Sequence, residues 1–357
     1  MNPQEQVCHN PQCWVYGRAG EGHIVIHSQR EQRYRCKRCA QTFSATKDTP
    51  FYRLHHPQAL MIVVATLLAF GCPVQAIVAA FGLDERTVAD WQRRAGRQCQ
   101  QVHTHLVQAG QVPLGQVQAD ELRVRVVGGV VWVAMAVSVA SRLWLGGTLS
   151  VHRDRRLIGR LLDQVRACGS VARVLLASDG LISYPRQALR RFRQAMHTGR
   201  RGRPPLVLPT GVLIVQAIKR YTKRRVREVE RRIVRGSEEA VAAVLTATQG
   251  KRTAVINTAY IERLNATFRA RLAVLVRRSR ATVRQVVTLE AGMWLVGAVY
   301  NFVCPHRSLD RQTPAQAAGV TDHRWTVAEV LRYRVPLPVV KRRGRRPHWL
   351  REVAHAA

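Results

Sequence analysis

Residues Asn257–Arg271 read NTAYIERLNATFRAR. At helical period, Ile261, Leu264, Phe268, Leu272 and Leu275 recur in steps of three and four, an apolar stripe that docks a helix on a core. Asn257 and Thr258 stand where a helix cap belongs. Glu262 lies beside the stripe in a strongly basic region, with Asn265 and Arg269 on its own face. A single glutamate on a helix is ordinarily solvated. Two other acids change that reading. Asp120 is flanked by apolar residues in VQADELRVRV, and Asp179 closes the apolar run VARVLLASDG. A carboxylate in or at the end of a buried strand is costly unless it is paired or coordinates a cation. Two strand acids and one helix acid that converge can hold divalent ions. Two such ions roughly 3.5–4 Å apart activate an attacking oxygen and stabilise a leaving oxygen at phosphorus. Glu121 adjoins Asp120, and strand alternation puts the two on opposite sheet faces, so only one of them serves.

The rest of the composition fits a polyanionic partner. The chain has 357 residues, 57 Lys+Arg against 22 Asp+Glu, a formal charge of +35 and a pI near 11.5. Such a surplus repels itself and calls for a nucleic acid. Arginine predominates, which suits bidentate phosphate contact. Hydrophobic residues are 46%, enough for a sizeable core, and the length suggests two or three units. MNPQEQVCHN has neither the basic start nor the apolar core of a signal peptide. The apolar run Leu60–Phe70 is too short to cross a bilayer. A cytoplasmic, nucleoid-associated protein with no membrane contact is expected, its eight cysteines being thiols or metal ligands.

Residues 1–52 carry Cys8, Cys13, Cys36 and Cys39, a C-x4-C and a C-x2-C pair with short strands between them. Four thiolates in a segment too small for a core favour a structural, tetrahedral Zn2+. His9 could replace Cys8 as a ligand. Residues 53–100 read as three helices. Gly82-Leu83 turns and Asp84 caps the third, ERTVADWQRRAGR, in the manner of a helix-turn-helix whose last helix enters a major groove. A plain three-helix bundle is the alternative. Residues 101–115 read as a connecting helix and linker. The pattern then changes to period 2: three antiparallel strands over Gln116–Val151, a helix, a fully buried strand ending at Asp179, and a helix over Ser183–His197. That order is the layout of an RNase H-like domain, an α/β core with a mixed sheet flanked by helices, spanning 116–305 with an insert at about 198–255. Within the insert, Lys219–Arg235 holds nine basic residues on two candidate strands, a phosphate-facing stripe or a solvated surface. Residues 306–357 are a basic tail ending in KRRGRR at 341–346.

Cysteine ribbon, helix-turn-helix, DEL strand, SDG strand, the helix quoted above and the tail YNF…PHRSL…TPAQAAG together resemble the DDE transposases of bacterial insertion sequences. The nearest group is the one typified by insertion sequence 1. The resemblance covers nearly the whole chain, and the N-T-x-Y-x-E-R-x-N helix and the PHRSL…TPA tail are its most specific parts. It implies that Asp120, Asp179 and Glu262 form the acidic triad holding two Mg2+ or Mn2+ ions, with Arg263 and Asn265 as supporting neighbours. It further implies double-stranded DNA partners, both element terminal repeats and target, and a homodimer or higher assembly on DNA. The residues expected to meet DNA are Arg86, Arg93, Arg94 and Arg97 on the third helix, Lys219, Arg220, Lys223, Arg224 and Arg225 on the strand pair, and Arg269. Two other classes stay open: a non-catalytic DNA-binding protein derived from a transposase, and a metal-dependent nuclease without strand transfer.

Overall fold

The computed structural model describes residues 2–197, 199, 202–223, 225–276 and 282–337, with only the backbone of Tyr221. Arg224 and the KRRGRR run at 341–346 lie outside the described residues. The described residues divide into two compact units, one built from residues 2–54 and 334–337, the other from His55–Tyr333.

The first unit is an antiparallel sheet of three short strands, β1 (Ile24–Ser28), β2 (Arg33–Cys36) and β3 (Thr42–Ser44), the last not foreseen. Its core is small: Val15, Ile24, Tyr34 and Phe43 around the cysteine sulfurs. So few apolar side chains supply little stability by themselves.

The second unit begins with α1 (Gln58–Ala69), α2 (Val74–Phe81) and α3 (Glu85–Leu106). Gly82 takes the left-handed conformation that ends α2, and the Asp84 carboxylate accepts the Arg86 N–H to start α3. The sequence reading carries the third helix to Arg97, yet α3 runs unbroken for 22 residues, through the expected boundary at 100 and into the segment read as linker. The reason is packing. A Cβ on Gly96 would lie 2.4 Å from the carbonyl oxygen of Ala291, so glycine here permits a close crossing of two helices. It does not end one.

That second helix, α8 (Val286–Phe302), is buried from Ala291 to Phe302 and needs no polar face. Among the described residues no single helix is long and apolar enough to cross a membrane.

The sheet is mixed, as expected. Strands β4 (Gly115–Val126), β5 (Gly129–Ser138) and β6 (Trp144–Ser150) form an antiparallel meander, followed by α4 (Arg155–Cys168). Then β7 (Arg173–Ser178) lies parallel to β4. Helix α5 (Ser183–Arg191) stops short of the expected His197, because Gln194–Ala195 (β8) pairs with Leu206–Val207 (β9). Strand β10 (Gly211–Thr222) is parallel to β7, and β11 (Arg225–Arg235) is antiparallel to β10, giving the order β11-β10-β7-β4-β5-β6. Then come α6 (Glu238–Gln249), α7 (Ala259–Arg271) and α8 (Val286–Phe302), and two short helices, α9 (Pro314–Ala317) and α10 (Val327–Arg332).

Helices cover both faces. A Cβ on Gly146 would meet Gln164 of α4, and one on the next residue, Gly147, would meet Met293 of α8. Neighbouring strand residues point to opposite faces, so α4 and α8 lie on opposite sides. Asn301, from the YNF stretch, joins α8 to β6. It accepts the Trp144 N–H at 2.9 Å and donates to the Trp144 carbonyl at 2.9 Å.

Gly96→Ala should therefore destabilise the protein by about 1–3 kcal/mol through overpacking. In an open helix the same change would stabilise by up to ~1 kcal/mol. Urea denaturation distinguishes the two, and an unchanged or higher midpoint would contradict the close crossing.

Candidate functional site

The parallel pairing of β4 with β7 ends at Gln118 opposite Ala177. Extending that register by two residues brings Asp120 level with Asp179, the first residue past β7. Beyond this point β4 is still paired with β5 but has no strand on its other side. The carboxyl ends of parallel strands therefore open into a crevice, where α/β sheets place ligand sites.

Both ends of Asp179 are fixed. Its Oδ1 accepts the Leu181 N–H at 3.0 Å, and its backbone carbonyl accepts from buried Gln216 on β10 at 2.8 Å. Asp120 Oδ2 accepts from Asn265 Nδ2 of α7 at 2.8 Å. Burial pushes the Asp120 carboxyl up to about 6, and the neighbouring carboxylates of Glu121, Asp179 and Glu262 push it the same way.

One strand positions the helix. Gln118 Oε1 accepts the N–H groups of Tyr260 and Ile261 at 2.9 and 3.1 Å, and its Nε2 donates to the Asn257 carbonyl at 2.8 Å. A strand side chain thus does the capping expected of Thr258, whose hydroxyl instead donates to Glu262 Oε1 at 2.6 Å. Asn257 Oδ1 accepts the Ala259 N–H at 3.0 Å. Of the apolar stripe, Ile261, Leu264, Phe268 and Leu275 are buried, and the helix ends one residue before Leu272.

The acids within metal-ligand spacing of one another are Asp120, Glu121 and Asp179, with one oxygen from each inside 4.8 Å. Glu262 falls outside that group, though near enough to raise Asp120. Opposite faces were expected to bring only one of Asp120 and Glu121 to such a site; in the structure an oxygen of each lies within 4.8 Å of the other and of Asp179. The two do point to opposite faces, Asp120 to α7 and Glu121 to α5. Where β7 has ended, however, no strand separates the faces, and Asp179 sits in the gap between them. Glu121 is fully committed: Tyr184 donates to Oε2 at 2.8 Å, and Arg153 bonds Oε1. Arg153 also reaches Asp179 Oδ2 at 3.3 Å. Lys219, expected to face phosphate, instead donates to Glu262.

The remaining basic residues are distributed as follows. Arg86 and Arg97 are exposed on α3, while Arg93 and Arg94 pair with Asp90 at 3.7 and 2.6 Å. Arg220 is exposed and bonded to Glu230 at 2.7 Å, and Lys223 and Arg225 are exposed at the β10–β11 turn. Arg263 is exposed on α7 and Arg269 is half-buried.

In the first unit Cys8, Cys13, Cys36 and Cys39 bring one sulfur each within 4.8 Å of the others, with Cys8 and Cys39 3.7 Å apart. Burial pushes the Cys8 and Cys13 thiols up. The looser first knuckle closes through a bridge between Cys8 and Tyr16. His9 is directed elsewhere: Nδ1 lies 2.6 Å from Asp48 and the ring packs edge-on against Phe43. Both this cluster and the carboxylate group could hold metal ions.

Arg153, Tyr184, Gln118 and Gln216 were not picked out from the sequence. A signal for one existed: Gln116, Gln118 and Asp120 alternate along a buried strand, a polar face that must meet polar partners. The chain matches no protein-family model and no curated protein.

With its carboxyl raised, Asp120 is protonated more readily in the folded than in the unfolded state. It contributes stability at low pH that is lost as pH rises through about 6. Asp120→Asn keeps an acceptor for Asn265 and removes the charge. In chelator at pH 7.5 it should stabilise the protein by roughly 1–2 kcal/mol in urea titrations, a gain that shrinks toward pH 5. A loss of stability at pH 7.5 would show that the carboxylates are not crowded.

Proposed function

We propose that this protein is a DDE-type transposase that cuts element-end DNA and joins it to a target, using Asp120, Asp179 and Glu262. The observation that carries the reading is the meeting of Asp120 and Asp179 at adjacent parallel strand ends, with the Glu262 helix clipped to the same strand by Gln118 and Asn265. The sheet order supports an RNase H-like core: an antiparallel meander, a parallel fourth strand beside the first, and a further parallel strand outside it. The turn at Gly82 between α2 and α3, and the exposed Arg86 and Arg97, support a helix-turn-helix role for that pair.

The residues fit divalent cations. The donors are hard carboxylate oxygens, suited to Mg2+ or Mn2+. Burial first, and then the repulsion of the neighbouring carboxylates, raises Asp120, and a cation would relieve both. Among the described residues, Asn265 Oδ1 is buried without a partner beside these carboxylates, an acceptor suited to the water of a hydrated ion. Bound Mg2+ or Mn2+ would activate the attacking oxygen and neutralise charge developing at phosphorus. Asp120 and Asp179 supply the fixed ligands. Asn265 and Gln216 keep them in position, and Lys219 holds Glu262 at the rim. No covalent protein intermediate is needed. The cysteine cluster fits Zn2+: four soft thiols on a unit whose small core gains most from a metal staple.

The DNA flanking the gene supplies the test substrate. Duplexes carrying its terminal repeats should be cut and joined to target DNA with Mg2+ or Mn2+. Asp179→Asn should reduce the rate by about three orders of magnitude or more while leaving DNA affinity equal or higher. Binding without cutting would favour the non-catalytic reading, and nicks without joined products the nuclease. Retention of divalent-dependent joining by Asp179→Asn would refute the triad. Elemental analysis should find about one zinc per chain, lost in Cys36→Ser together with the fold of the first unit. A full zinc content in that variant would exclude the four-thiol site.

A further inference from the structure

Arg153 lies between β6 and α4 at the mouth of the acidic crevice. Its Nε and Nη2 bond Glu121, whose side chain is fully buried and whose other oxygen is held by Tyr184. Its guanidinium stands 5.0 Å from the centroid of the Trp132 ring. Its third contact, to Asp179 Oδ2 at 3.3 Å, is the longest of its bonds and joins groups that are both more than a third exposed. Among the described residues no partner is bonded to Nη1. The arginine is thus anchored on its buried side and open on the side facing the strand ends.

We propose that Arg153 binds a non-bridging oxygen of the scissile phosphodiester, with Glu121 as its anchor and Asp179 as its resting partner. This rests on the phosphodiester reading given above. Glu121 carries both its bonds in the protein interior, so it acts as the counter-charge that orients the guanidinium and not as a spare ligand. When Asp179 is engaged by a cation, Arg153 keeps Glu121 and Trp132 and has N–H groups free. A guanidinium fork matches two oxygens of a phosphate, and one aimed where charge develops strengthens in the transition state.

A purely structural role makes a different prediction. If Arg153 only neutralises Glu121, removing both partners should restore function, because an uncharged isosteric pair leaves no buried charge unpaired. The test is E121Q/R153Q beside R153A and wild type, in the full chain. On a short duplex carrying the terminal repeat that flanks the gene, single-turnover cleavage by E121Q/R153Q should stay about 10²-fold below wild type. R153A should regain part of its rate on addition of guanidinium ion. A rate in E121Q/R153Q within threefold of wild type would overturn the proposal.

An affinity measurement in Ca2+ is independent of turnover. Replacing the scissile phosphate by an uncharged methylphosphonate should weaken binding to wild type about 10-fold and to E121Q/R153Q hardly at all. If both proteins lose the same affinity, Arg153 does not touch that phosphate, and the wider reading stands. If neither loses any and wild type does not cleave, the phosphodiester reading itself fails, and Arg153 with it.

Discussion

The carboxamide of Gln118 bonds the N–H groups of Tyr260 and Ile261 in the first turn of α7, and the rest of the crevice depends on that clip. The N-terminal N–H groups of a helix have no partner of their own and must find one. Here they find it on a strand, two residues before Asp120 and on the same face. One turn further along, Asn265 returns from the helix to Asp120. Strand and helix are thus joined at two points, and the position of Glu262 follows from them. Gln118 also bonds Asn257, so the clip fixes the loop that leads into the helix.

The clip works against repulsion. Burial makes the carboxyls of Asp120 and Glu121 resist ionisation, and the carboxylates beside them add to the effect. The protein offsets this with two cations of its own, Arg153 on Glu121 and Asp179, and Lys219 on Glu262. Each comes from a different element, one preceding α4 and the other on β10. Four negative charges against two positive ones leave a local deficit in a chain whose formal charge is +35. The deficit persists because the backbone holds the acids, through β4, the end of β7 and α7, independently of their charges.

Much of this architecture was legible in the residues. The shift from period 3.6 to period 2 near residue 115 and the buried run ending at Asp179 located the meander and the fourth strand nearly to the residue. Local patterns carry such information because burial imposes a period on each element separately. What failed was non-local. The role of Gly96 is invisible in the sequence, and only the partner helix at Ala291 explains it. Alternation placed Asp120 and Glu121 on opposite faces, which is right, but it could not reveal that the strand between those faces stops at Ser178. Lys219 looked like one more member of a cationic stripe until its distant partner Glu262 was in view.

The same geometry bears on how a polyanion would reach this crevice. At long range a formal charge of +35 would attract any polyanion, an effect that salt screens over about 8–10 Å. Close to the strand ends the sign reverses, since the residual charge of the acids repels a phosphate. Divalent ions reverse it again. If the protein acts on DNA as proposed, attraction at a distance and exclusion at the centre would let the basic surfaces hold the duplex without its backbone settling among the carboxylates. On that proposal binding and chemistry would be separable by metal supply, the acids admitting a phosphate only when their own charge has been answered.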